Sequence, residues 1–223
     1  MDEQNIRKKI NTELMNAALI EAKSFEIIGE ILEEKGIVLS PEEEPVIKRC
    51  IHTTADFDYA DTLTFSKNAV PVLKKLITEG ADVVTDTNMA LTGINKKELL
   101  KYGGEIHCYM AEEDVAKEAK ERQLTRAFVS MERAMRIERP VIYVVGNAPT
   151  ALISLMDAYE QKQYRPAFII GVPVGFVNVE AAKELVVESN LDYIVNRGRK
   201  GGSNVAAAIV NAVLYNLREE SNN

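Results

Sequence analysis

From residue 81 onward, short apolar runs alternate with longer stretches in which apolar residues recur every three or four positions. Residues 82–85, 105–109, 141–145, 167–172 and 192–195 read as strands. Val141-Ile142-Tyr143-Val144-Val145 is apolar throughout, as a strand buried on both faces should be. Residues 112–121, 124–138, 149–161, 179–188 and 205–217 carry the helical period between them. Upstream the pattern is helical. Leu14, Ala17, Ala18, Phe25, Ile28 and Leu32 predict a helix over 6–35, with Gly36 as its stop. Ser40-Pro41-Glu42-Glu43 predicts a capped helix start with Pro41 in its first position, running to about His52. Pro45 removes one backbone donor there, so an irregular first turn is expected. A further helix covers 67–79 and stops at Gly80. At least five strands alternating with helices predict an α/β fold, a mainly parallel sheet covered on both faces. The chain reads as a single domain over 1–223, a helical part of about 6–80 packed on an α/β part of about 81–218.

In such sheets a ligand sits beyond the carboxyl ends of the strands. Polar or glycine-bearing segments fall at those ends: Asp86-Thr87-Asn88, with helix-capping chemistry, then Gly146-Asn147, 171–175 and 197–203. The last runs Arg197-Gly198-Arg199-Lys200-Gly201-Gly202-Ser203, between a strand and an Ala-rich helix. Backbone N–H groups and the positive end of a helix dipole there meet two arginines and a lysine. This suits a ligand with several carboxylates or phosphates, and an arginine fork matches a carboxylate with two bonds. On the residues alone, a solvated turn or a site for a phosphorylated small molecule also fits.

One helix face adds a possible acid. At 100° per residue Val46, Ile47, Cys50 and Ile51 share one side of the 40–52 helix, and Pro45, Lys48, Arg49 and His52 the other. His52 is off the apolar stripe, three residues from Arg49, and a histidine moves protons near neutral pH. A solvated surface pair is the plainer reading. Asp56 or Asp58 in the next connection can cap a short helix or orient His52, and capping is the expected role. Ser24, mid-helix, is expected to bond back to its own backbone.

Composition narrows the classes. The chain has 223 residues, 46% hydrophobic and 27% charged, with a net charge of -7, which disfavours nonspecific nucleic-acid binding. Two cysteines, Cys50 and Cys108, are too few and too far apart for a disulfide framework or a C-x-x-C site. No apolar run approaches a membrane span and the first residues are polar, so a cytoplasmic protein is expected. The phosphate loop G-x-x-x-x-G-K-[ST], the dinucleotide fingerprint G-x-G-x-x-G after a strand, and the nucleophile elbow G-x-S-x-G are all missing. Two histidines are too few for a histidine-based metal site.

Three blocks carry a resemblance: Gly146-Asn147-Ala148-Pro149-Thr150-Ala151-Leu152, Ile170-Gly171-Val172-Pro173-Val174-Gly175-Phe176-Val177, and Arg197-Gly198-Arg199-Lys200-Gly201-Gly202-Ser203. Ser24-Phe25, Arg49-x-x-His52, Asp86-x-x-Met89 with Gly93-Ile94, and Thr125-Arg126 support it. Together, from about residue 20 to 215, they resemble the precorrin-8X methylmutases, also called cobalt-precorrin-8 methylmutases. The resemblance implies a flavodoxin-like three-layer α/β/α fold. It implies an isomerase of cobalamin (corrin ring) biosynthesis that moves a methyl group from C-11 to C-12 of the tetrapyrrole. In it His52 is the catalytic acid, protonating the ring C nitrogen for a [1,5]-sigmatropic shift. Ser24 and Arg49 become substrate contacts, joined by Arg126, Asn147, Arg197, Arg199, Gly201 and Ser203 on the rim. No cofactor and no protein-bound metal are implied; any cobalt belongs to the substrate. A homodimer with shared active sites is implied, without nucleic-acid or membrane partners. A non-catalytic corrinoid carrier is the alternative that the same residues allow.

Overall fold

The computed structural model describes residues 16–222, in which the chain divides after Leu39 into two compact units. The first holds one helix, α1 (Ala17–Glu34). It ends as the sequence predicts: Gly36 turns to a φ of 69°, its N–H donates to Glu33 and that of Ile37 to Leu32, the double bond of a Schellman stop. The 6–16 part of the expected helix, Leu14 included, lies outside the described residues except for Asn16.

The second unit is built on a six-stranded sheet: β1 (Leu63–Phe65), β2 (Asp82–Thr85), β3 (Ile106–His107), β4 (Val141–Val145), β5 (Phe168–Gly171) and β6 (Tyr193–Asn196). Their order across the sheet is β1-β6-β5-β4-β2-β3. All pairings are parallel except β1 against β6. The five parallel strands thus take the flavodoxin-like order, with β2 and β4 side by side where the winding reverses. The antiparallel edge strand β1 is absent from the sequence reading, because three residues carry too little period to register as a strand. β3 is shorter than expected: after His107 the chain coils through a 3-10 turn, Tyr109–Ala111.

Helices cover both faces. On one lie α7 (Glu113–Glu121), α8 (Arg126–Ala134), α9 (Pro149–Glu160) and α10 (Val179–Val187). Val141, Tyr143 and Val145 of β4 point to that side, into a core with Met131, Leu152, Leu155 and Val186. Period-two alternation sends Ile142 and Val144 the other way, and both are buried too. The second layer centres on α11 (Ser203–Asn222), which packs on α2 (Glu44–Thr54), α4 (Ala69–Thr78), α5 (Asn88–Gly93) and α6 (Lys96–Leu100). A four-residue turn, α3 (Tyr59–Thr62), leads into β1.

The start of α2 differs from expectation. The helix opens at Glu44, not at Pro41, and Pro45 falls in its first turn, where a missing N–H costs nothing. Ser40 offers its carbonyl, not its hydroxyl, to Glu43 and Glu44.

Candidate active site

The carboxyl ends of β2, β4, β5 and β6 and the start of α11 meet along one rim, and four contacts hold them there. Asp86, completely buried just past β2, accepts hydrogen bonds from the backbone N–H groups of Gly146 (2.8 Å), Asn147 (2.8 Å) and Ala148 (2.6 Å). Burial pushes its carboxyl above the ordinary aspartate value, and those same N–H groups pull it back down. The expected helix cap at this point is made by its neighbour: Thr87 accepts from Ala90, which frees Asp86 to bridge the two strand ends. The Thr87 hydroxyl also meets that of Ser203 at 2.8 Å. A Cβ on Gly146 would sit 2.7 Å from the Cα of Ser203, so β4 and α11 approach this closely only because residue 146 is glycine. Finally, Gly202 donates to Val172, and a Cβ on Gly201 would lie 2.1 Å from the same carbonyl. The crevice between β2 and β4 is the switch point of the sheet, where ligands of such folds bind.

The basic loop rests on a buried lysine that the sequence reading passed over. Lys183 of α10 has no exposed surface, and its Nζ donates to the carbonyls of Gly198 (2.7 Å) and Lys200 (2.8 Å). Burial lowers its pKa to about 8. In the sequence it stands among Ala181, Ala182, Glu184 and Leu185, one more charge on a helix, with nothing to mark it as interior. Asn196, also fully buried, donates to the carbonyls of Arg197 and Lys200.

The loop's cations reach in two directions. Arg197 forks onto the Glu184 carboxylate, Nε at 3.1 Å and Nη2 at 2.7 Å. Arg199 lies 3.3 Å from Glu180 and over the ring of Phe176, which is 84% exposed. Both pairs are exposed, and such pairs are weak enough to yield to a ligand carboxylate. Lys200 bridges Asp56 and Asp58, each at 2.6 Å. No side-chain cap bond forms at Asp58, whereas Asp56 Oδ1 accepts the Asp58 N–H at 3.0 Å, heading the turn into α3, while its Oδ2 meets the lysine. That bridge brings the segment after His52 to the basic loop.

His52 is exposed on the last turn of α2, while Val46, Ile47, Cys50 and Ile51 are buried on the opposite side, as the 100° projection expects. Arg49, one turn earlier and half-buried, places its guanidinium 5.1 Å from the centre of the Tyr215 ring on α11. Arg49 against Tyr215 and Asp56 against Lys200 make α2 and α11 antiparallel, with His52 between these two contacts. Arg126 is exposed at the first position of α8, whose cap, Thr125, shares a 2.7 Å hydroxyl contact with Thr150 at the start of α9. Asn147 joins the rim through its backbone, with its side chain exposed. Ser24 is in the first unit, and its hydroxyl donates to the Ile20 carbonyl one turn back, at 2.8 Å. Structure thus gathers Asn147, Arg197, Arg199, Gly201 and Ser203 on one rim, ties the His52 segment to it through Lys200, and sets Arg126 beside the α9 start. Among the described residues, no cluster of three or more His, Cys, Asp or Glu could hold a metal ion, and no helix is long and apolar enough to cross a membrane.

Sheet order, switch-point crevice and basic loop define a doubly wound α/β protein with a basic loop on the rim of its switch point. Comparison with known proteins narrows this. Residues 19–216 match the family model for precorrin-8X methylmutase. The chain is 44% identical to the cobalt-precorrin-8 methylmutase of Salmonella typhimurium, over 90% of this chain and 95% of that one. It is 40% identical to that of Priestia megaterium, over 87% and 85%. The crystal structure of the precorrin-8X methylmutase from Thermus thermophilus superposes with a TM-score of 0.81 at 36% identity, covering 90% of this chain and 98% of that one. The chain belongs to the precorrin-8X methylmutase family; it is an isomerase of cobalamin biosynthesis.

Proposed function

We propose that this enzyme moves a methyl group from C-11 to C-12 of precorrin-8, with His52 as the acid that protonates the ring C nitrogen and a [1,5]-sigmatropic shift as the migration step. The observation that carries this reading is the placing of an exposed His52 beside Arg49, on the segment that Lys200 ties to the basic loop. A flat macrocycle edged with carboxylates asks for an apolar surface with cations around it. Phe176 and Val177 are exposed next to Arg199 and offer such a surface. Arg49, Arg126, Arg197 and Arg199 are the cations assigned to the carboxylates, with Asn147, Gly201 and Ser203 contributing polar groups of the rim. An internal methyl shift exchanges no electrons with a partner and transfers no phosphate, so the reading assigns the protein no cofactor and no metal of its own. The chain contributes a placed proton and an oriented substrate. The names of the Salmonella and Priestia relatives support the cobalt-bearing form as substrate.

The test is an absorbance time course with precorrin-8, with and without cobalt. Wild type is expected to shift the chromophore, faster with cobalt. His52→Ala is expected to lose at least about a hundredfold in kcat, the usual size of an acid–base contribution, while its unfolding midpoint stays put. An active His52→Ala variant would remove the histidine from the mechanism. Product binding by wild type without turnover of either form would instead make the protein a corrinoid carrier.

A further inference from the structure

We infer that Lys183 is a positioning residue, holding the 197–201 loop so that three of its backbone N–H groups form a receptor for one carboxylate of the substrate. The inference rests on the function proposed above for the identity of that substrate. The reasoning starts from the peptide bond. In a trans peptide the C=O of one residue and the N–H of the next point in opposite directions. Lys183 and Asn196 draw three carbonyls of the loop inward, those of Arg197, Gly198 and Lys200. The N–H groups of Gly198, Arg199 and Gly201 must therefore point the other way, out of the protein. Among the described residues none of the three has a protein acceptor, whereas Arg197, Gly202 and Gly175 around them donate to Thr62, Val172 and Arg199. Successive outward N–H groups on a glycine-bearing turn make an anion-binding concavity. Gly198 at a φ of 73° and Gly201 at 158° supply the backbone conformations that bend the loop.

The lysine suits this task better than a neutral group. Its ammonium sits behind the peptide planes, adds positive charge to the side a carboxylate approaches, and offers three donors for the carbonyls it gathers. Water does not compete, since the side chain is completely buried. Arg197 and Arg199, by contrast, are exposed and held by Glu184 and Glu180, so they adapt to a ligand while the backbone beneath them stays fixed.

Lys183→Met keeps the length of the side chain and removes its donors. With purified full-length enzyme and cobalt-precorrin-8, KM is expected to rise by about tenfold or more, the loss of one charge-assisted contact, with kcat within about threefold of wild type. In the same variant without substrate, amide hydrogen exchange at Gly202 and Gly175, whose bonds hang on the loop, is expected to quicken by at least about tenfold. Lys183→Gln, which retains two donors on a shorter arm, should restore part of both. If Lys183→Met does not fold, Lys183→Gln alone is compared with wild type, and an unchanged KM with unchanged exchange refutes the role. In a folded Lys183→Met, an unchanged KM also refutes it, and a collapse of kcat with KM preserved would make the lysine a participant in the chemical step. Failure of the methylmutase reading looks different: wild type itself would not turn over, while the exchange comparison would still report on the lysine.

Discussion

Among the described residues, two charged side chains are completely buried, and they are the most consequential single residues at the rim. Asp86 and Lys183 have no exposed surface, and each is satisfied by backbone groups of a loop that follows a different strand. The aspartate takes the N–H groups that lead into α9, and the lysine takes the carbonyls that lead into α11. Their signs are opposite and so are their effects. Asp86 offsets the positive end of α9, leaving the anion-attracting character of the rim to the loop above Lys183. Asp86→Asn would keep the shape but leave a single acceptor oxygen for three backbone donors, that of Gly146 buried. A loss of about 2–4 kcal/mol in unfolding free energy is expected from denaturant titration, the size of an orphaned buried donor plus a lost charge-assisted bond. A variant within about 0.5 kcal/mol of wild type would mean that the loop finds other acceptors.

At the level of elements, the rim depends on how close α11 comes to the end of β4. Gly146 sets that distance, because any side chain there meets backbone atoms of Ser203, which cannot rotate aside. Gly146→Ala is expected to cost about 1–3 kcal/mol through overpacking and to raise KM as the α11 start and its loop are pushed off the crevice. Gly103→Ala is the matched control: it has a φ of 85° and no atom within 4 Å, so it carries only the conformational penalty of about 1–2 kcal/mol and should leave KM alone. A differential scanning profile with steady-state kinetics on both variants separates the two effects. Equal KM values would show that the approach of α11 to β4 does not shape the binding site. The clamp of Asp56 and Asp58 on Lys200 belongs to the same scale, since it ties the connection after α2 to a loop more than 140 residues away in sequence.

The whole molecule leaves Val174, Phe176 and Val177 exposed just past β5, an apolar cluster beside a basic loop. We propose that a macrocycle covers part of such a surface and that a second copy of the chain completes the site. The expected result is a sedimentation mass of about twice 24.8 kDa at micromolar concentration, with specific activity falling as dilution separates the copies. A 24.8 kDa species that keeps full activity would place a complete site in one chain.

Much of this protein follows from its sequence alone, where the signal is local. Short continuous apolar runs and the 3.6-residue period mark all five parallel strands and the long helices, because a strand buried on both faces is apolar throughout and a covering helix repeats its apolar residues every three or four positions. Glycines and charges clustered after strands mark the rim, and the faces of α2 place Arg49 and His52 opposite the buried stripe. The rest needed the tertiary fold, for one physical reason: it depends on pairings between residues far apart in the chain. The strand at 63–65 exists only because β6 is there to pair with it. Asp56 and Asp58 are the partners of a lysine far along the chain, and Asp86 bridges two strands. Lys183 looks like a surface lysine until the fold buries it under the loop whose carbonyls it holds.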